Sequence, residues 1–108
     1  SVVGDGGFAM MLHVLSTAIQ YHLPVVFLVM NNSGLGMVRD IQRDKIIATR
    51  FSPTDFAQIA KAFGCRGIRV EHPDEIQPAL NDAFSADLPS VIDVNTSTSE
   101  PFFKIMNR

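Results

Sequence analysis

Gly4-Asp5-Gly6-Gly7 and Asn31-Asn32-Ser33-Gly34 are the two stretches whose reading decides the fold. Twenty-four residues separate Gly6 from Asn31. They hold one segment with helical spacing of apolar residues (Phe8, Met11, Leu12, Leu15, Ile19) and one unbroken apolar run, Val25 to Met30. Val2-Val3 before the first cluster reads as the end of a strand. A strand, a helix and a second strand within roughly 30 residues make one βαβ crossover. Such a crossover brings both polar clusters to the carboxyl ends of adjacent parallel strands, about 4.8 Å apart. An acid, an amide and a glycine-rich turn then converge on one spot.

The rest of the chain continues the alternation. The spacing predicts a helix over about 8 to 21, apolar nearly all round and therefore covered on both sides. The valine-rich run predicts a strand buried on both faces, as in parallel sheets. Residues 31–36 read as a loop and 37–43 as a short helix. Ser52-Pro53-Thr54-Asp55 reads as a helix start, with Ser52 as cap, Pro53 first in the helix and an acid in the first turn. Phe56, Ile59, Ala60 and Phe63 form its stripe, and Gly64 is placed to stop it. Strands are expected over 67–70 and 90–94, with a helix between them marked by Ile76, Ala79, Leu80, Ala83 and Phe84. The order β-α-β-(α)-α-β-α-β indicates an α/β domain of three layers, a mainly parallel sheet with helices on both faces. The domain is expected over 1–95 and a C-terminal tail over 96–108. Ser1-Val2-Val3 is a stub of a strand, so the fold is expected to be truncated at its N-terminus and the chain to be a piece of something longer.

Composition narrows the function. The 108 residues are 46% hydrophobic, enough for a core, and the net charge of −2 gives no electrostatic case for nucleic acid or an anionic membrane surface. The run Leu23 to Met30 is too short to span a bilayer. Cys65 is the only cysteine, so no internal disulfide forms, and a cytoplasmic location is expected. His13, His22 and His72 share no metal-ligand spacing with each other or with Cys65.

The two clusters carry the chemistry. Glycines at a strand-to-helix turn let backbone N–H groups approach an anion closely. Asp5 would repel a phosphate, unless a cation lies between them. Mg²⁺ takes six oxygens near 2.1 Å, usually one or two carboxylates plus phosphate oxygens and water. Asp5, the Asn32 side-chain oxygen and a backbone carbonyl near Gly34 could supply three. Taken alone, Gly4 to Gly7 also fits an ordinary tight βα turn. Gly4, Gly6 and Ala9 meet a dinucleotide-binding pattern, but asparagines stand where that fold needs an acid after the second strand. No Gly-Lys-Ser/Thr follows, which excludes a P-loop.

Gly-Asp-Gly followed some two dozen residues later by Asn-Asn resembles the cofactor motif of thiamine diphosphate-dependent enzymes. Ser16 to Pro24 and Gly36-Met37-Val38-Arg39 are similar to the same stretches of acetolactate synthases and benzoylformate decarboxylases, and the likeness extends to about Val94. The resemblance implies the C-terminal, diphosphate-binding domain of such an enzyme, with thiamine diphosphate and Mg²⁺ as cofactors. It implies Asp5, Asn32 and the Gly34 carbonyl as metal ligands. Gly4, Gly6, Gly7 and the Leu35-Gly36-Met37 loop would hold the cofactor, and Met37, Val38 and Ile41 would face the substrate. The implied reaction is decarboxylation of a small 2-oxo acid, with or without transfer of the resulting acyl unit. A benzoylformate-type simple decarboxylase or lyase is the alternative.

Departures from the family pattern refine this. Yeast-type pyruvate decarboxylases carry a glutamate where Val38 stands. Acetolactate synthases carry a tryptophan where Ile41 stands, and a helix glutamate where Val14 stands. The resemblance further implies that a pyrimidine-binding domain, a middle domain and a homodimeric or homotetrameric parent complete the active site. The 108 residues alone are then expected to bind cofactor weakly and to turn nothing over.

Overall fold

The computed structural model describes residues 1–99; of the tail expected over 96–108, residues 100–108 lie outside that range. Four strands form one sheet: β1 (Val2–Gly4), β2 (Val26–Asn31), β3 (Arg66–Val70) and β4 (Ser90–Asn95). Their order is β1-β2-β4-β3, and all three pairings are parallel. Five α-helices connect them: α1 (Asp5–Ala9), α2 (Val14–Gln20), α3 (Gly36–Gln42), α4 (Phe56–Ala62) and α5 (Ile76–Ser85).

Alternation along the central strands builds two cores, because successive side chains point to opposite faces. Phe27 and Val29 of β2 and Val91 of β4 join Phe8, Leu15, Phe56 and Ala60 on one side. Val26 of β2 and Ile92 and Val94 of β4 join Val70, Ala79 and Ala83 on the other. The three layers are therefore α1, α2 and α4, then the sheet, then α5. Phe8 is fully buried, with ring centroids 5.6 Å from Phe27 and 5.5 Å from Phe56, so one side chain ties α1 to both β2 and α4. Each such buried side chain contributes about 1.5–3 kcal/mol.

The α/β architecture agrees with the pattern in the sequence, and four local expectations need correction. The helix expected over 8–21 is two helices. Residues 10–13 form a turn, and Met11 within it and Val14, Leu15 and Ser16 at the start of α2 donate to the carbonyls three residues back, a tighter winding than the α-helix. The helical path still turns Phe8, Leu15 and Ala18 onto the sheet, but its far side is open, with Met10 81% exposed. The cap of α4 is Asp55 rather than Ser52: its carboxylate accepts from the Gln58 N–H at 2.8 Å. Phe84 does not join the stripe of α5; it is exposed, while Ala79 and Ala83 are buried. β3 and β4 each run one residue beyond expectation, starting at Arg66 and ending at Asn95.

Gly64 does stop α4, at φ +87°, where a residue with a Cβ is strained. Asp55→Ala should cost about 1 kcal/mol, the usual value of an N-cap, read as a lower denaturation midpoint. An unchanged midpoint would mean that the Asp55 bond contributes nothing.

Candidate functional site

The two polar clusters meet at the carboxyl end of the sheet. β1 and β2 are neighbours, with Gly4 opposite Met30, so Asp5 and Asn31-Asn32 leave adjacent strand ends. Asp5 is buried at 3% exposure. Its Oδ1 accepts from the Gly6 N–H and its Oδ2 from the Gly34 N–H, each at 2.9 Å. The Gly6 N–H therefore points at Asp5 and is already engaged.

Gly34 forms an isolated antiparallel bridge with Arg50, closed by Leu35 N–H to Thr49 O at 2.9 Å and Phe51 N–H to Ser33 O at 2.8 Å. Those bonds belong to the flanking residues, so the Gly34 N–H and C=O face away from the ladder, and the N–H reaches Asp5 Oδ2. A side chain at 34 would collide with the Thr49 carbonyl, which explains the glycine.

Asn31, the last residue of β2, and Asn32, just past its end, line different clefts and point opposite ways. Asn31 turns toward α4. Asn32 turns toward a cleft of about 610 Å³ that Gly4, Asp5, Gly6, Gly7 and Gly34 also line. Gly36 comes so close that a Cβ there would sit 2.6 Å from Asn32 Nδ2. Asn32 Oδ1 is buried and has no hydrogen-bond partner among the described residues. A buried acceptor left unpaired costs about 1–3 kcal/mol. A carboxylate, an orphaned amide oxygen and an outward-turned carbonyl are all hard oxygen donors of the kind Mg²⁺ or Ca²⁺ takes. The donor set fits such a cation.

Leu35, Gly36, Met37 and Val38 form the wall beside the glycines. All of α3 is unburied; Met37 is 53% exposed and Val38 44%. Ile41 is 66% exposed and stands outside the walls of this cleft. Of the sequence-derived candidates the structure thus gathers Gly4, Asp5, Gly6, Gly7, Asn32, Gly34, Leu35, Gly36, Met37 and Val38 around one space, and leaves Ile41 apart. A second cleft of about 650 Å³ lies past Asn32, with Arg39, Arg43 and Arg50 on its walls; Asp5 and the glycines do not reach it. Met30 and Thr96, from the ends of β2 and β4, also line the first cleft. Their strand-end positions were the only signal in the sequence.

Among the described residues no cluster of three His, Cys, Asp or Glu side chains stands ready for a metal, so His13, His22, His72 and Cys65 form no such centre. Burial pushes the Cys65 thiol up, away from the reactive thiolate. Also among the described residues, no helix is long and apolar enough to cross a membrane.

Comparison with known proteins places the family and the fold. Residues 1–94 match the family model described as thiamine pyrophosphate enzyme, C-terminal TPP binding domain. The chain belongs to that family. It is 40% identical to an acetolactate synthase large subunit of Haemophilus influenzae, an alignment covering 99% of this chain and 20% of the relative. It is 35% identical to a 2-hydroxyacyl-CoA lyase of Oryza sativa subsp. japonica, over 87% of this chain and 18% of the relative. The solved structure of a Rhodococcus jostii thiamine diphosphate-dependent 4-hydroxybenzoylformate decarboxylase superposes with a TM-score of 0.81 at 28% identity, covering 91% of this chain and 20% of that one. The chain thus spans about a fifth of the length of the relatives it matches.

Proposed function

We propose that this domain holds Mg²⁺-thiamine diphosphate for an enzyme that decarboxylates a small 2-oxo acid and passes the acyl unit to an acceptor. The observation that carries the reading is the orphaned Asn32 Oδ1, buried in a glycine-lined cleft with Asp5. A bound cation gives that oxygen the partner it lacks. Asp5, Asn32 Oδ1 and the Gly34 carbonyl would hold the ion, with diphosphate oxygens completing its shell. The ion offsets the repulsion between Asp5 and the diphosphate. Gly4, Gly6 and Gly7 carry no side chains to block the cofactor's approach, and Leu35-Gly36-Met37 would bound its other side.

When bound, the cofactor supplies the carbanion chemistry. This chain's residues position it and keep water out; Met37 and Val38, half-exposed and apolar, would do the latter once covered. Ile41 is the remaining substrate-side candidate, from α3 beyond the cleft wall. The likeness to acetolactate synthase supports the synthase branch. Isoleucine at 41, where those enzymes carry tryptophan, favours keeping a benzoylformate-type decarboxylase or lyase as the second reading.

A homodimeric or homotetrameric parent, with pyrimidine-binding and middle domains and a cytoplasmic location, belongs to the same proposal. The 108 residues alone would bind cofactor weakly without turnover. Product analysis of the full-length protein with pyruvate, with and without a second 2-oxo acid, separates the branches. The synthase reading predicts a carboligation product. Aldehyde alone would favour the decarboxylase, and no CO₂ release from any 2-oxo acid would contradict both.

A further inference from the structure

The first asparagine of the pair has no place in the cation site, yet it is only 3% exposed and its hydrogen-bonding capacity is nearly filled. Asn31 Nδ2 donates to Asp93 Oδ1 at 3.0 Å and to the Thr54 carbonyl at 2.9 Å. Asn31 Oδ1 accepts from the Ser33 N–H at 3.1 Å. Its backbone carbonyl accepts from the Thr96 N–H at 2.9 Å.

Asp93 is fully buried in β4, opposite Val29 of β2 and Arg69 of β3. Its Oδ2 accepts from the Phe56 N–H at 2.9 Å and from Arg69 Nη1 at 2.6 Å. A carboxylate in the middle of an apolar strand is costly, and persists only where each oxygen is satisfied. Here one oxygen serves α4 and Arg69, and the other serves Asn31 alone.

The Asn31 Oδ1 bond to Ser33 N–H is an Asx turn that spans Asn32. It holds Ser33 at φ +53°, and the next N–H, that of Gly34, lands on Asp5 Oδ2 at 2.9 Å. The turn is therefore pinned from behind by Asn31 and from in front by Asp5. The side chain between the pins is Asn32, with its unpartnered oxygen.

We infer that Asp93 and Asn31 are positioning residues for the cation site: Asp93 fixes the Asn31 amide, Asn31 fixes the turn, and the turn aims Asn32 Oδ1 and the Gly34 carbonyl. The inference rests on the Mg²⁺-thiamine diphosphate reading above. The bond donors are unambiguous, since a carboxylate can only accept and so dictates which end of the Asn31 amide faces it. Arg69 supplies a control. It contacts the same carboxylate at the oxygen that Asn31 does not use, so losing it weakens the fold without turning the amide.

The test measures two quantities in the full-length protein: the Kd for Mg²⁺ by calorimetry at saturating thiamine diphosphate, and the thermal midpoint without metal or cofactor. Asp93→Asn and Asn31→Ala should each weaken Mg²⁺ binding about 10- to 100-fold, the range for groups that orient metal ligands. Arg69→Gln should lower the midpoint and leave the Kd at the wild-type value. The exchange N31D/D93N restores a donor–acceptor pair between the same positions and should recover much of the affinity lost in D93N. If the D93N protein does not fold, N31A against R69Q carries the comparison. A wild-type Kd in N31A, or losses of affinity that track the midpoint equally in N31A, D93N and R69Q, would overturn the inference. Failure of the wild-type protein to bind Mg²⁺ with thiamine diphosphate would overturn the underlying reading, and this inference with it.

Discussion

Replacing Asp5 with asparagine should weaken Mg²⁺-dependent binding of thiamine diphosphate by at least about 100-fold, beyond the range for groups that only orient metal ligands. The substitution is nearly isosteric, so the loss comes from chemistry. Asp5 is the carboxylate of the proposed ligand set on the cleft wall that the glycines share with Asn32, and without it a divalent cation rests on two neutral oxygens and is held poorly. The amide also offers one acceptor where the carboxylate offered two. Either the Gly6 or the Gly34 N–H, each bonded at 2.9 Å, loses its partner, a cost of about 1–3 kcal/mol to the metal-free protein. Two readouts separate these effects. In wild-type protein, ligand at 100 times its Kd adds about 2.7 kcal/mol to the folded state, and Asp5→Asn protein should gain at most about 0.4 kcal/mol at the same concentration. An equal rise in midpoint on adding Mg²⁺ and cofactor to both proteins would remove Asp5 from the site.

The largest effect on stability should come from Gly67→Val, in a strand far from the cleft. A Cβ at 67 would overlap the Ala57 carbonyl oxygen and lie 2.8 Å from the Ala57 carbonyl carbon. Both are backbone atoms of α4, so no side chain can swing aside. The helix must lift from β3, opening its contact around Ala57 and Ala60, which are 2% and 0% exposed. Overpacking of this kind costs about 1–3 kcal/mol for an added methyl, so alanine should fall in that range and valine beyond it. The displacement also reaches the cleft, because Phe56 at the start of α4 donates to Asp93, which holds Asn31. Gly67→Val should therefore lower both the denaturation midpoint and the affinity for Mg²⁺ with thiamine diphosphate. A midpoint equal to that of the wild type would show that α4 and β3 are less closely packed than described.

The sequence made some of this legible and hid the rest, for physical reasons. The unbroken apolar run over 25–30 marked a parallel strand covered on both faces, and Val91, Ile92 and Val94 marked a strand over 90–94. Gly64 marked a helix end because a left-handed residue follows α4. The clusters at 4–7 and 31–34 could be placed together because a single crossover leaves little choice of geometry. What stayed hidden depended on distant partners. Gly67 read as the start of a strand; its reason is the backbone of a helix ten residues earlier. Asp55 was mistaken for a first-turn acid, since the true start of α4 is set by the Asp93 carboxylate accepting the Phe56 N–H. Asp93 itself read as one polar residue in a strand, and its three partners come from β2, α4 and β3. Asn31 was grouped with Asn32, and only the period of two separates an amide that faces the cleft from one that braces it. Arg69 and Glu71 pair at 2.7 Å, and the guanidinium holds the Glu71 carboxyl below its ordinary range, which no local pattern announced.

The proposal that this domain binds its cofactor through a divalent cation rests on the cleft, the unpartnered Asn32 oxygen and the buried Asp5. Calorimetric titration of thiamine diphosphate into the full-length protein, with Mg²⁺ and then after its removal by a chelator, tests that claim most directly. The account predicts saturable binding with Mg²⁺ and its loss on chelation, restored by adding the ion back. Binding of equal strength in the chelated protein, or none in the presence of Mg²⁺, would contradict it.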